Sequence, residues 1–160
     1  MQPESFPRQS ARTRGFTAGA PRLFTISPDG ACVLFVRAAS GTDAVGRLWA
    51  LDTTTGEERL VADPTALHDG AEELSPEGRA RRERMREGNA GIVGYATDRD
   101  ATVAAFALSG GLYAVELGAG SAVRGLDVPG SVVDPRPSPD GSRIAYVSGR
   151  SLRVVGSDGS

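Results

Sequence analysis

The sequence predicts an all-β fold: a partial β-propeller of about two blades plus the start of a third, with one inserted charged helix. Three observations carry this. The tetrapeptide Ser-Pro-Asp-Gly occurs twice, at Ser27-Pro28-Asp29-Gly30 and at Ser138-Pro139-Asp140-Gly141. Each copy runs straight into an apolar strand, Val33–Val36 and Ile144–Val147. The chain also holds 21 glycines in 160 residues, a density suited to many short strands joined by turns. The tetrapeptide has a mechanism. Pro presets φ for the turn, Asp hydrogen-bonds its own backbone, and Gly takes the positive φ that closes it. A tight turn feeding a short strand, repeated along a chain, marks stacked antiparallel sheets.

Each unit extends beyond its turn. After the first copy come a strand at Arg47–Asp52, a turn at Thr53–Glu57 and a strand at Glu58–Val61. A degenerate copy without Pro is expected at Thr97-Asp98-Arg99-Asp100, followed by strands at Val103–Ala107, Leu112–Leu117 and Ala122–Leu126. The last copy reaches Ser151–Val155. Asp98 and Asp140 lie about one blade length apart, roughly 40–50 residues. The division that follows is 1–26 as leader and first strand, 27–70 as a blade, 71–90 as an inserted arm, 91–137 as a degenerate blade, and 138–160 as the start of an incomplete blade. Propellers close with typically 4–8 blades, so the chain reads as the first part of something larger.

Composition excludes several function classes. The chain is 39% hydrophobic and 24% charged, as in a globular protein, with a net charge of −2 that gives no case for nucleic acid. All 18 basic residues are Arg. Cys32 is the only cysteine and reads as a small buried hydrophobe, so neither a disulfide nor a cysteine metal site is expected. The amino-terminal stretch lacks an apolar core of the secretory kind, and no run approaches membrane-spanning length. A cytoplasmic protein with no membrane or nucleic-acid partner is the expectation.

The arm reads as a helix. Ser75 is a natural N-cap, Pro76 a natural first residue, and Gly88 a natural stop. Glu77 and Arg81 are spaced i,i+4 in the favourable order, and Arg79 with Glu83 in the reverse order. Only Leu74, Ala80 and Met85 are apolar, so this is no core helix. It is either a solvated surface helix or an arm that presents Arg groups to a ligand, for which the planar guanidinium fork suits carboxylates.

Catalytic patterns are absent from the sequence. There is no Gly-x-Ser-x-Gly elbow, and His68 is a lone histidine in a loop. No phosphate-binding glycine pattern follows a strand, and no metal-ligand spacing stands out. No catalytic residue, no metal and no cofactor is therefore assigned, and the chain alone is expected to be inactive.

Several motifs together resemble the start of bacterial dipeptidyl peptidase IV-like enzymes of the prolyl oligopeptidase family of serine peptidases. They are Phe6-Pro7-Arg8-Gln9, Phe16-Thr17, Ser27–Gly30, Leu48–Asp52, Thr55-Gly56-Glu57, Glu72-Glu73-Leu74-Ser75-Pro76-Glu77, Arg81-Arg82-Glu83-Arg84 and Gly91-Ile92-Val93-Gly94-Tyr95. The arm followed by Gly-Ile-Val-x-Tyr is the most specific part. The resemblance implies an amino-terminal propeller that restricts entry to a hydrolase domain carrying a Ser-Asp-His triad. Peptide substrate would be met through that domain, which this chain lacks. The resemblance further implies that Arg81, Arg82 and Arg84, braced by Glu83, lie near substrate. Glu72-Glu73 is not the family's amine-binding glutamate pair, which belongs to a later blade. The alternatives are a free-standing propeller-type module that binds a protein or peptide, completed as a homo-oligomer, and a non-functional truncated remnant.

Overall fold

The computed structural model describes residues 5–67, 90–118 and 120–160. The polypeptide forms three stacked antiparallel sheets. A short helix, α1 (Phe6–Arg12), precedes the first. Sheet 1 runs in the order β1 (Arg22–Ile26), β2 (Cys32–Ala38), β3 (Val45–Asp52), β4 (Glu58–Ala62). The single turn of α2 (Pro64–Leu67) follows, and the short β5 (Ala90–Gly91) then lies parallel to the start of β3. Sheet 2 is β6 (Ala96–Thr97), β7 (Val103–Leu108), β8 (Gly111–Glu116) and β9 (Arg124–Leu126). Sheet 3 is β10 (Val133–Pro137), β11 (Arg143–Ser148) and β12 (Ser151–Gly156). Every strand in these sheets pairs with its neighbour in sequence, apart from β5, which is the propeller-blade meander.

Three turns set the repeat. In the first, the Ser27 hydroxyl donates to the Asp29 carboxylate at 2.6 Å and accepts the Cys32 N–H at 2.9 Å. Asp29 also accepts the Ala31 N–H at 3.0 Å, and Gly30 closes the turn at φ 72°. The third turn repeats this with Ser138, Asp140, Ser142 and Arg143, and Gly141 stands at φ 69°. The degenerate turn is displaced by one residue from the expected position and is Asp98-Arg99-Asp100-Ala101. Its Asp98 carboxylate accepts the N–H groups of Thr102 at 2.7 Å and Val103 at 2.8 Å and the Thr102 hydroxyl at 2.7 Å. One carboxylate thus does what a hydroxyl and a carboxylate do in the other copies. Ala101 occupies the glycine position at φ 54°.

Alternation along each strand gives every sheet two apolar faces. In one core, Leu34, Val36, Leu48 and Ala50 of sheet 1 meet Phe106, Val115 and Leu117 of sheet 2. In the other, Ala105, Leu112 and Ala114 of sheet 2 meet Ile144 and Tyr146 of sheet 3. The turns bring Phe35, Phe106 and Tyr146 to the same place in successive sheets, paired across to Trp49, Tyr113 and Arg153. The first strands of sheets 1 and 3 share a distortion. β1 and β10 both carry a register shift, with Leu23 at φ 57° and Asp134 at φ 52°.

Candidate functional site

All three turns lie at one end of the sheets, and the other end of sheet 1 carries the features able to meet a ligand. The strand directions dictate this: β1 starts there, the β2–β3 loop crosses there, and β4 ends there. A pocket of about 230 Å³ opens at this end. It is bounded by the amino-terminal turn through Arg14, Gly19 and Arg22, and by Asp43 and Gly46 at the start of β3. Gly19 is needed for the close approach. It stands at φ 81°, and a Cβ there would lie 3.0 Å from the Ser40 carbonyl.

An ion-pair relay braces the same end. Arg47 donates to Asp43 at 2.6 Å and to Asp63 at 3.1 Å. Asp63 also accepts the Thr65 N–H at 2.9 Å and its hydroxyl at 2.7 Å, which fixes the entry to α2. Asp43 accepts the Val45 N–H at 2.9 Å, and this bond leads the causes that hold its carboxyl below the ordinary carboxylate range. The β2–β3 loop, β3 and the exit of β4 are thereby tied together.

The long insertion departs and returns at this end. It leaves after Leu67 and comes back at Ala90, which pairs with Val45, while Gly91 pairs with Gly46. Gly46 belongs both to the pocket wall and to the base of the insertion. Ile92 is fully buried and donates its N–H to the Gly46 carbonyl at 2.9 Å. Tyr95 then crosses to the first strand, where its hydroxyl donates to the Leu23 carbonyl at 2.7 Å and lies 3.0 Å from the Thr25 hydroxyl. The Gly91–Tyr95 motif is what carries the chain from the insertion into sheet 2.

The substrate-proximal candidates Arg81, Arg82, Glu83 and Arg84 lie outside the described residues, as do His68, Gly78 and the rest of the arm up to residue 89. Of the two sequence-identified turns, Ser138–Gly141 touches its degenerate neighbour. Arg99 donates its N–H to the Pro139 carbonyl at 3.2 Å, and a Cβ on Gly141 would meet the Asp98 carboxylate at 3.5 Å. Ser27–Gly30 stands at the end of sheet 1 opposite the pocket, where Thr53 donates its hydroxyl to the Gly30 carbonyl at 2.7 Å. The pocket and the Asp43–Arg47–Asp63 relay went unread in the sequence. Only the alternation of Asp and Arg from 43 to 63 hints at them.

Among the described residues no group of three or more His, Cys, Asp and Glu is arranged to hold a metal, and no helix is long and apolar enough to cross a membrane. Cys32 opens β2, and partial burial pushes its thiol pKa up.

The stacked meanders and their recurring turns define a β-propeller-type protein. Solved structures agree at the level of fold. TolB from Acinetobacter baumannii superposes with a TM-score of 0.52 at 19% identity, covering 88% of this chain and 30% of that one. A putative TolB from Agrobacterium tumefaciens gives 0.54 at 19% identity, over 89% of this chain and 46% of that one. A structure from a study of two prolyl endopeptidases gives 0.55 at 15% identity, over 88% of this chain and 19% of that one. The chain therefore spans less than half the length of each. No family model matches the sequence.

Proposed function

We propose that this chain is the amino-terminal propeller portion of a dipeptidyl peptidase IV-like serine exopeptidase, where it is structural and gates substrate. The observation that carries the reading is the seat of the insertion. The Arg- and Glu-rich segment springs from a closed base at the pocket end of sheet 1, with Ala90 and Gly91 clasped to Val45 and Gly46. A segment so anchored can extend from the sheet without disturbing it. The likeness to a prolyl endopeptidase structure supports the propeller part of this reading.

In this reading the Ser-Asp-His triad belongs to a hydrolase domain, and these residues supply none of it. Arg81, Arg82 and Arg84, with Glu83 beside them, offer charge-assisted hydrogen bonds to a peptide carbonyl or carboxylate. The test is an assay of dipeptide release from Gly-Pro and Gly-Ala chromogenic substrates. A polypeptide in which these residues precede a Gly-x-Ser-x-Gly-containing domain is expected to release dipeptides, while residues 1–160 alone release none. Turnover by residues 1–160 that survives repurification, or a longer polypeptide that cleaves only internal bonds, overturns the assignment.

A further inference from the structure

The pocket at the end of sheet 1 is formed in advance of any ligand. Its walls are the amino-terminal turn and the β2–β3 loop, and each is closed by its own hydrogen bonds. In the turn, the Thr13 carbonyl accepts the N–H groups of Thr17 at 3.1 Å and Ala18 at 3.0 Å, and the Thr17 hydroxyl donates to the Arg14 carbonyl at 2.8 Å. In the loop, Asp43 donates its N–H to the Ser40 carbonyl at 3.2 Å and accepts the Val45 N–H on its side chain at 2.9 Å. Most of the residues around the pocket are alanine or glycine, which leaves its volume of about 230 Å³ open. The whole lining comes from residues 14–46, so its shape does not depend on a neighbouring sheet.

The charged residues of the lining are Arg14, Arg22 and Asp43. Asp43 is already paired, because Arg47 donates to it at 2.6 Å and reaches Asp63 at 3.1 Å. Among the described residues at this end, three arginines thus stand against two carboxylates, and the excess positive charge lies with Arg14 and Arg22. Each guanidinium carries five donors, so the interactions that both arginines make elsewhere leave donors for a ligand. A planar fork of this kind matches a carboxylate. A dianion fits less well, since the Asp43 carboxylate shares the same lining.

We propose that this pocket binds one small carboxylate, of the size of an amino acid or a dipeptide, and that Arg14 and Arg22 hold the carboxylate group. The volume lies below the roughly 300–1,000 Å³ of pockets that take drug-sized ligands, which limits the occupant to something this small. The alanine and glycine walls give room for its apolar part, and Asp43 stays on Arg47. The inference goes beyond the peptidase reading and does not depend on it, because dipeptide release is measured separately.

An amide NMR titration of the 160-residue chain tests this with three probes: N-acetylglycine, its neutral amide N-acetylglycinamide, and inorganic phosphate. N-acetylglycine should shift the Gly19, Ala44 and Gly46 amides along one saturable curve, with a dissociation constant in the millimolar range. The amide and phosphate should bind at least about tenfold more weakly. Arg14→Gln and Arg22→Gln should each raise the constant for N-acetylglycine about tenfold to a hundredfold, the size of a lost charge-assisted hydrogen bond. Arg143→Gln removes the same charge beside the Ser138–Gly141 turn and should leave the constant within about twofold. Ala44→Leu should fill the pocket and abolish the shifts. The acid and the amide are compared on the wild-type chain, so that result stands even where a variant fails to fold. The proposal is overturned by shifts that do not saturate or that cluster away from the pocket. Equal binding of acid and amide, equal binding of phosphate, or arginine variants that bind like wild type also overturns it.

Discussion

Pro64 and Gly91 touch across the base of the insertion: a Cβ on Gly91 would lie 2.9 Å from Pro64 Cγ and 2.7 Å from the Gly46 carbonyl oxygen. Gly91 also stands at φ 75°, a conformation that costs other residues about 1–2 kcal/mol. Gly91→Ala is therefore expected to destabilise the fold by about 2–4 kcal/mol through backbone strain plus steric overlap. Urea unfolding measures it, and a loss under 1 kcal/mol would mean the clasp yields freely.

The same contact makes the insertion separable. Replacing residues 68–89 with a short Gly/Ser linker should leave the fold and its melting temperature nearly unchanged, since loop closure depends only weakly on length. A circular dichroism melt of the shortened chain decides this. A collapse of the melting transition would show that the insertion supports sheet 1.

Ala101 holds the position that Gly30 and Gly141 hold in the other turns, at φ 54°. Ala101→Gly should stabilise the chain by about 0.5–1 kcal/mol, because relief of the left-handed strain outweighs the entropy that glycine adds to the unfolded state. Gly30→Ala should do the reverse by about 1 kcal/mol, since no atom lies within 4 Å of the added Cβ and only φ is at stake. Paired denaturation curves read both signs.

Asp98 is buried at 6% exposure and accepts three hydrogen bonds. Asp98→Ala strands those donors and should cost about 2–4 kcal/mol. Asp98→Ser should cost less, because it recreates the arrangement in which Ser27 and Asp29 share the work. Equal losses for the two variants would show that a hydroxyl at this position does not recreate the turn of the other copies.

Acid should weaken the third turn in a defined window. Asp140 is lowered from 3.8 to about 2, chiefly by the Ser138 hydroxyl and then by the N–H and hydroxyl of Ser142. A folded-state pKa below the unfolded value stabilises fully above about pH 4 and is lost as pH falls toward 2. Asp29 is lowered in the same direction by Ser27 first. Melting temperature should fall between pH 4 and 2, and Asp140→Asn should flatten part of that fall. Carboxyl titration by NMR gives the Asp140 value directly, and a midpoint near 3.8 would contradict it.

On the proposed peptidase reading, the arm is tested in a longer polypeptide in which these residues precede a hydrolase domain. Arg82→Ala or Arg84→Ala should lower kcat/KM about tenfold to a hundredfold, the size of a lost charge-assisted hydrogen bond. Stability should move by at most about 0.5 kcal/mol. Unchanged kinetics in both would make the segment a solvated helix.

The Ser-Pro-Asp-Gly turns and the strands that follow them were legible because their causes are local. Ser27, Asp29 and Cys32 bond within five residues, and β2, β3, β7, β8, β11 and β12 are long enough to show a period of two. Their bounds shifted by only one or two residues. The all-β class and the repeat followed from these alone.

Tertiary structure decided the rest. The two-residue strands β5 and β6 have no periodicity to read, and form because β3 and β7 offer unpaired backbone groups beside them. β10 holds Pro135 and Pro137, which argue locally against a strand, yet it pairs with β11 as an edge where missing donors cost nothing. The short helix α1 carries no apolar period and was read only as leader. The shift of the degenerate turn could not be seen either, because Asp98 replaces a Ser and an Asp at once through contacts set by the fold. Which faces are covered is likewise a property of stacking order. The pairs Val36–Leu48 and Val147–Leu152 look alike in sequence, but the first is buried only because sheet 2 lies against it.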